Sequence, residues 1–159
     1  MSIERIGAAA LVVLDYPERR NAINPVNARE IADALKAAAE AQDVCGVVLT
    51  GVGAFSSGGD LRGAVDRSSM TPDERRRVIY GASQGLLRAI VDVPVPTIAA
   101  VDGAAIGMGL DMALACDATL IGPNGWARQG WGGVGLVSAT AGVLFVRRRN
   151  AAALWRLLA

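Results

Sequence analysis

The chain contains no histidine. That excludes Ser-His-Asp and Cys-His catalysis, and every histidine-ligated metal site, within these residues. Lys36 is its single lysine, so nearly all of the 16 basic residues are arginine, and no Walker lysine can sit in a glycine loop. No acid occurs after Asp117. Aromatic residues make up only 4% of the chain. The net charge of +1 argues against a nucleic-acid or anionic-membrane surface as the main partner. Apolar runs are frequent but short: Pro, Asp or Arg interrupts each before the roughly 18 residues that a membrane span needs. The two cysteines, Cys45 and Cys116, lie far apart in apolar runs and read as two buried thiols in a reducing compartment. The N-terminus lacks a signal-peptide layout, so the expected location is cytoplasmic.

What is present is apolar and glycine-rich. The chain has 159 residues, 52% hydrophobic with 19 glycines, enough for one domain with a real core. Ile3 to Ile6 and Ala9 to Leu14 read as strands joined at Gly7-Ala8. Asn24-Pro25 opens a helix, with Asn as cap and Pro suited to the first turn. Ile31, Ala34, Leu35 and Ala38 give that helix a buried stripe, and it is expected to end near Asp43. Gly46 to Thr50 is a strand, so strand, helix and strand imply parallel pairing through a crossover. Thr71-Pro72-Asp73-Glu74 starts a second helix carrying Val78, Ile79, Ala82, Leu86, Leu87 and Ile90, which Val93-Pro-Val-Pro96 ends. Thr97 to Val101 is a buried strand, Gly107 to Cys116 a helix, and Ala118 to Ile121 a short strand. Gly63 to Ser69 reads as a loose loop, and Asn150 to Ala159 as an amphipathic helix.

Two stretches carry the chemistry. Leu49 to Arg62 is a strand that delivers a glycine loop, Phe55-Ser-Ser-Gly-Gly-Asp60. Asp102 to Asp111 repeats the arrangement after the next strand. Glycine loops on strand ends bring bare backbone N–H groups close to a ligand, and two such places are what an oxyanion hole needs. Gly59 would give one N–H, or else the loop is a plain turn with Asp60 as a cap. Met108 lies in a first helical turn, where free amides and the helix dipole favour negative charge. Asp111, three residues on, is either an acid–base group beside that site or an acid placed there for the dipole. Gly130-Trp-Gly-Gly-Val-Gly135 fits G-x-G-x-x-G, but no strand precedes it and no acid follows, so a dinucleotide site is rejected. Ser56 and Ser57 have no histidine partner as nucleophiles.

Five ordered motifs give the chain a resemblance to the crotonase superfamily, the enoyl-CoA hydratases and isomerases. They are Pro17 to Asn24, Val47 to Gly51, Ala54 to Leu61, Pro94 to Gly103 and Gly107 to Asp117. The resemblance implies an α/β fold, a spiral of ββα units with parallel sheets flanked by helices. It implies an acyl-CoA thioester whose carbonyl is polarised by the N–H groups of Gly59 and Met108, worth about 3 kcal/mol per donor, with Asp111 as acid–base. Arg20, Ala22, Gly58, Asp60, Leu61 and Arg62 fall on the segments that hold the CoA moiety. Coenzyme A would be part of the substrate, with no permanent cofactor and no metal. A homotrimer or dimer of trimers is implied.

The chain departs from the family at two places. Hydratases carry Glu where Asp111 stands, and their second Glu falls here on Trp131 or Gly130. Ordinary two-carboxylate water addition is therefore not expected. An enoyl-CoA hydratase/isomerase-like enzyme acting on an acyl-CoA through enolate stabilisation, a crotonase-fold hydrolase of cyclic β-diketones, or a non-catalytic acyl-CoA-binding remnant remain. Residues 1–145 would be the spiral core, and 146–159 the start of a truncated C-terminal helical region.

Overall fold

A computed structural model describes residues 1–62, 69–138 and 140–149. Most of the loop expected at 63–69, and the helix expected at 150–159, lie outside them.

The sheet follows the alternation in the sequence. β1 (Ser2–Ile6) and β2 (Ala9–Leu14) form an antiparallel hairpin through Gly7, whose φ of 60° the turn requires. In β2 the residues Ala10, Val12 and Leu14 alternate into the core. β3 (Gly46–Gly51), β4 (Thr97–Val101) and β6 (Ala118–Ile121) then join in parallel, giving the order β1-β2-β3-β4-β6. The register sets Leu14 beside Gly51 and Leu49 beside Ala99. The C-terminal ends of β2, β3 and β4 therefore lie at one edge of the sheet, and the segments at 15–24, 52–62 and 102–107 leave from it. In open parallel sheets that edge is where ligands bind.

α1 (Pro25–Glu40) starts as expected. Asn24 Oδ1 accepts from the N–H groups of Val26 and Asn27, and Asn27 Oδ1 accepts from Asn24 N–H, a reciprocal cap. Its buried face includes Ala28, Ile31, Ala34, Leu35 and Ala38, and the helix ends three residues before Asp43. Full burial of Ile31 and of Leu35 contributes about 1.5–3 kcal/mol each. The second helix is one continuous rod in three parts. α2 (Pro72–Arg75) is capped by Thr71, a π turn runs from Arg76 to Tyr80, and α3 (Gly81–Val91) packs on α1 with Ala82, Leu86, Leu87 and Ile90 buried. α4 (Met108–Ala115) is buried along most of its length, and α5 (Gly142–Arg149) packs on it.

Two strands went unanticipated. β5 (Ala104–Ile106) and β7 (Trp126–Arg128) form a second, two-stranded parallel sheet. Three-residue strands are too short to show a period. Cys116 is buried, but Cys45 is exposed, which corrects the expectation of two buried thiols. Cys45 stands in the connection just before β3, outside the sheet's packed face, and its apolar neighbours misrepresent its surroundings.

Candidate active site

The glycine loop is stitched down on both sides before it reaches Gly59. Phe55 is fully buried and anchors it. Ser56 bridges to β5: its N–H donates to the Ala104 carbonyl (2.9 Å) and its carbonyl accepts from Ile106 N–H (2.9 Å). Ser56 Oγ donates to the Asn21 carbonyl (2.7 Å) and accepts from Gly58 N–H (3.1 Å). On the other side Ile23 N–H donates to the Gly58 carbonyl (2.7 Å), and Asp60 N–H to the Ile23 carbonyl (2.7 Å). This parallel bridge uses the groups that flank Gly59. By strand alternation, Gly59 N–H then points away from Ile23.

Gly58 has φ +90° and presses on the second turn. A Cβ there would lie 2.5 Å from the Ile106 carbonyl oxygen and 3.4 Å from Met108 N. The glycine loop is thus held against the first turn of α4. Gly107 caps that helix at φ 52°, and its N–H donates to the Arg128 carbonyl (2.8 Å), leaving Met108 at the first helical position. Among the described residues, neither Gly59 N–H nor Met108 N–H has an acceptor. Both residues line one small cleft of about 80 Å³, with Gly58, Leu61, Ile106, Gln129, Gly130 and Trp131 among its walls. Two free amides facing a largely apolar cleft can hold a developing oxyanion.

A second cleft, of about 220 Å³, adjoins the first and shares Ser57, Gly59 and Leu61 with it. Arg20, Ala22, Asp60, Leu61 and Arg62 line it, whereas Gly58 lines the smaller cleft. Glu18 and Arg19 complete its charge, three arginines against two acids. Asp60 is committed to the protein itself. Its Oδ2 accepts from Arg19 Nη1 (2.8 Å), and its Oδ1 from Arg62 N–H (2.9 Å). Its charge is thereby compensated, and Arg62 is oriented through the backbone.

Asp111 lies behind the wall of the smaller cleft rather than on it, at 0% exposure. Gln129 Nε2 donates to its Oδ1 (2.8 Å), and Thr140 Oγ1 donates to its Oδ2. Gly142 rests on the same carboxyl: a Cβ there would collide with it and lie 2.5 Å from Gln129 Nε2. Burial pushes the Asp111 carboxyl up to about 6, against the opposing effect of hydrogen bonds from Thr140 and Gln129. No carboxylate is among the described residues lining this cleft; Gly130 and Trp131 are there instead.

Gln129, Thr140 and Asn21 were not singled out from the sequence. Nothing local marks the first two, because they meet Asp111 only through the fold. Asn21 sits at φ 54° and is fully buried. Its Oδ1 accepts from Tyr16 N–H (2.8 Å), and its Nδ2 donates to the Ala54 carbonyl (2.7 Å). It ties the loop after β2 to the glycine loop. Asn21→Ala leaves both backbone groups unpaired, and a loss of about 2–3 kcal/mol is expected. Urea denaturation measures it; a change under about 0.5 kcal/mol would remove Asn21 from this role.

The chain matches the enoyl-CoA hydratase/isomerase family over residues 4–154. A Thermus thermophilus protein named "Putative enoyl-CoA hydratase" is 37% identical over 144 residues, covering 89% of this chain and 56% of that protein. A Rhodobacter capsulatus protein named "Probable enoyl-CoA hydratase" is 36% identical over 143 residues, 88% of this chain and 52% of its own length. The crystal structure of an enoyl-CoA hydratase from Polaromonas sp. JS666 superposes with a TM-score of 0.89 at 30% identity, over 99% of this chain and 62% of that one. The chain belongs to the enoyl-CoA hydratase/isomerase family and has the crotonase fold. It spans little more than half the length of these two curated relatives.

Proposed function

We propose that this chain binds an acyl-CoA thioester and stabilises its enolate. The thioester carbonyl lies between Gly59 N–H and Met108 N–H, and the CoA phosphates lie along the adjoining cleft beside Arg20 and Arg62. The observation that carries this reading is the pair of unbonded amides on one cleft, held together by the close approach of Gly58 to Met108. Backbone donors are indifferent to side chains, so methionine at 108 is no obstacle. Guanidinium groups suit phosphate because their forked donors match its oxygens. A family of hydratases and isomerases makes the thioester the natural occupant.

Asp111 is the group to which proton transfer falls. A carboxyl titrating near 6 is suited to both accepting and returning a proton near neutral pH. Gln129 and Thr140 stand around it, so these groups must give way before the carboxyl meets substrate. Turnover is accordingly expected to be slow relative to binding. This favours, as a second reading, an acyl-CoA-binding protein without turnover; the buried carboxyl and the lack of a second acid among the described lining residues support it.

Calorimetry with crotonyl-CoA, beside hydration and isomerisation assays and a parallel assay on a cyclic β-diketone, tests the proposal. Saturable binding of crotonyl-CoA with measurable turnover is expected. Binding without turnover selects the second reading, diketone cleavage without acyl-CoA binding selects a hydrolase, and no binding at all removes the thioester.

A further inference from the structure

Ala141 is a strained residue next to the one buried acid that the reading above puts to use. It sits at φ 63°, in the left-handed region that a β-carbon disfavours. Its carbonyl accepts from Leu144 N–H (2.9 Å) and Phe145 N–H (3.1 Å), which starts α5. The residues on either side of it close on Asp111. Thr140 Oγ1 donates to Oδ2, and Gly142 lies so near the carboxyl that it admits no Cβ. A residue other than glycine keeps such a φ only where its surroundings impose it. Here the turn is pinned on both sides to one carboxyl.

We infer that Thr140-Ala141-Gly142 is a strained latch that holds the Asp111 carboxyl back from the acyl cleft, with Thr140 as the positioning residue that keeps it shut. The inference rests on the acyl-CoA reading above and adds the contact that limits its turnover. The two carboxyl oxygens have different neighbours. Oδ1 is held by Gln129, which lines the cleft with Gly59 and Met108. Oδ2 is held by Thr140, which lines neither that cleft nor the adjoining one. Released from Thr140, the carboxyl keeps only its tie to the cleft wall. The latch also has room to move. Val143 and Leu144 in the first turn of α5 are exposed, whereas Phe145 packs against the core. The turn can therefore lift about Phe145 while uncovering little apolar surface.

Two opposing contributions of similar size set the balance. Strain at Ala141 favours release, and the hydrogen bond from Thr140 to an ionised carboxylate favours closure. A change at either residue should shift the latch, in opposite directions. Thr140→Val keeps the shape and removes the donor. Ala141→Gly removes the strain of the closed turn. Among the described residues no ion pair reaches Asp111, and its hydrogen-bond partners Gln129 and Thr140 are neutral, so its titration reports burial and these bonds.

Carbon-13 NMR titration of the Asp111 carboxyl, assigned by its loss in Asp111→Asn, tests this beside steady-state turnover of crotonyl-CoA. In Thr140→Val the midpoint is expected to fall from about 6 toward 3.8, because the carboxyl reaches solvent. In a carboxyl that stays buried, loss of the same bond moves the midpoint up, since that bond favours the charged form. The kcat of Thr140→Val is expected to rise about tenfold with KM within about twofold, and Ala141→Gly to lower kcat about threefold. Thr140→Ser, which keeps the hydroxyl, should return both readings to those of the unaltered chain. An unchanged or higher midpoint in Thr140→Val overturns the inference and leaves the acyl-CoA reading standing, as does a kcat that moves the same way in Thr140→Val and Ala141→Gly. If Thr140→Val does not fold, Ala141→Gly decides, and an unchanged or higher kcat overturns the inference. A midpoint that falls as expected, with no turnover in any variant, overturns the enolate reading rather than the latch.

Discussion

Gly58→Ala is expected to destabilise the chain by about 3 kcal/mol and to abolish acyl-CoA binding, while Gly59→Ala changes stability by less than about 0.5 kcal/mol. The two residues are adjacent glycines in one loop, yet their surroundings are opposite. Gly58 has φ +90°, where an L side chain is strained, and its new methyl would stand 2.5 Å from the Ile106 carbonyl oxygen. That neighbour is backbone in β5, held by the Ser56 bridge, and cannot swing aside. Strain at a positive φ costs about 1–3 kcal/mol, and overpacking adds a similar amount. Relief requires the loop to lift from α4, which separates the two amides of the proposed oxyanion site. Loss of one oxyanion donor alone is worth about 100-fold or more in rate. At Gly59 an added Cβ meets nothing within 4 Å, and alanine keeps the N–H. Urea denaturation of both variants, with calorimetry on crotonyl-CoA, is the check. Equal stability of the two would show that the approach of Gly58 to Ile106 and Met108 is not a constraint on this loop.

Asp111→Asn is expected to stabilise the chain at pH 7.5 by about 1–3 kcal/mol and to lower turnover at least about 100-fold. The sign follows from burial. The folded carboxyl holds its proton up to about 6, against an ordinary value of 3.8. Between those values the folded chain binds more protons than the unfolded one, so stability falls as pH rises from about 4 through about 6. Above that window the ionised carboxyl costs about 3 kcal/mol, from a shift of about two pH units at 1.36 kcal/mol each. An amide carries no charge, so the slope in this window should vanish in the variant. It can also re-pair, since a new amide nitrogen could donate to Gln129 Oε1 if the glutamine turns over, while Thr140 still donates to the oxygen. The difference between parent and variant in urea denaturation at pH 5 and pH 7.5 isolates this group from all others. An unchanged difference across the two pH values would mean that Asp111 is not held as described. Unchanged turnover would remove it from the reaction.

These two sites differ in how far their sequence reveals them. The glycine loop was legible: an apolar strand stopping at Thr50-Gly51, three glycines in the next nine residues, and a second loop of the same kind after Val101. Caps were equally plain, because Asn24-Pro25 and Thr71-Pro72 act on their own next turn. The stripe Ile31, Ala34, Leu35, Ala38 followed from helical spacing, and the family followed from five motifs in order. All of these are short-range patterns, or several such patterns in a fixed order, and a linear sequence preserves them.

The surroundings of Asp111 are of another kind. Its partners stand 18 and 29 residues away, on segments with no motif of their own. From the sequence, its place in the first turn of α4 was definite, and whether it faced substrate or helix dipole was open. Tertiary packing sets it behind Gln129 and beneath Gly142, and burial there raises its proton affinity. Cys45 shows the same limit, exposed amid apolar neighbours because burial belongs to a position in the fold. The sequence by itself determined the order of the five main-sheet strands and of the helices before residue 117, the two backbone turns and the family, since each is written in local residue choice. Only the tertiary structure decided which side chains meet between those turns: desolvation and hydrogen bonding depend on distances across the fold, which sequence separation does not record.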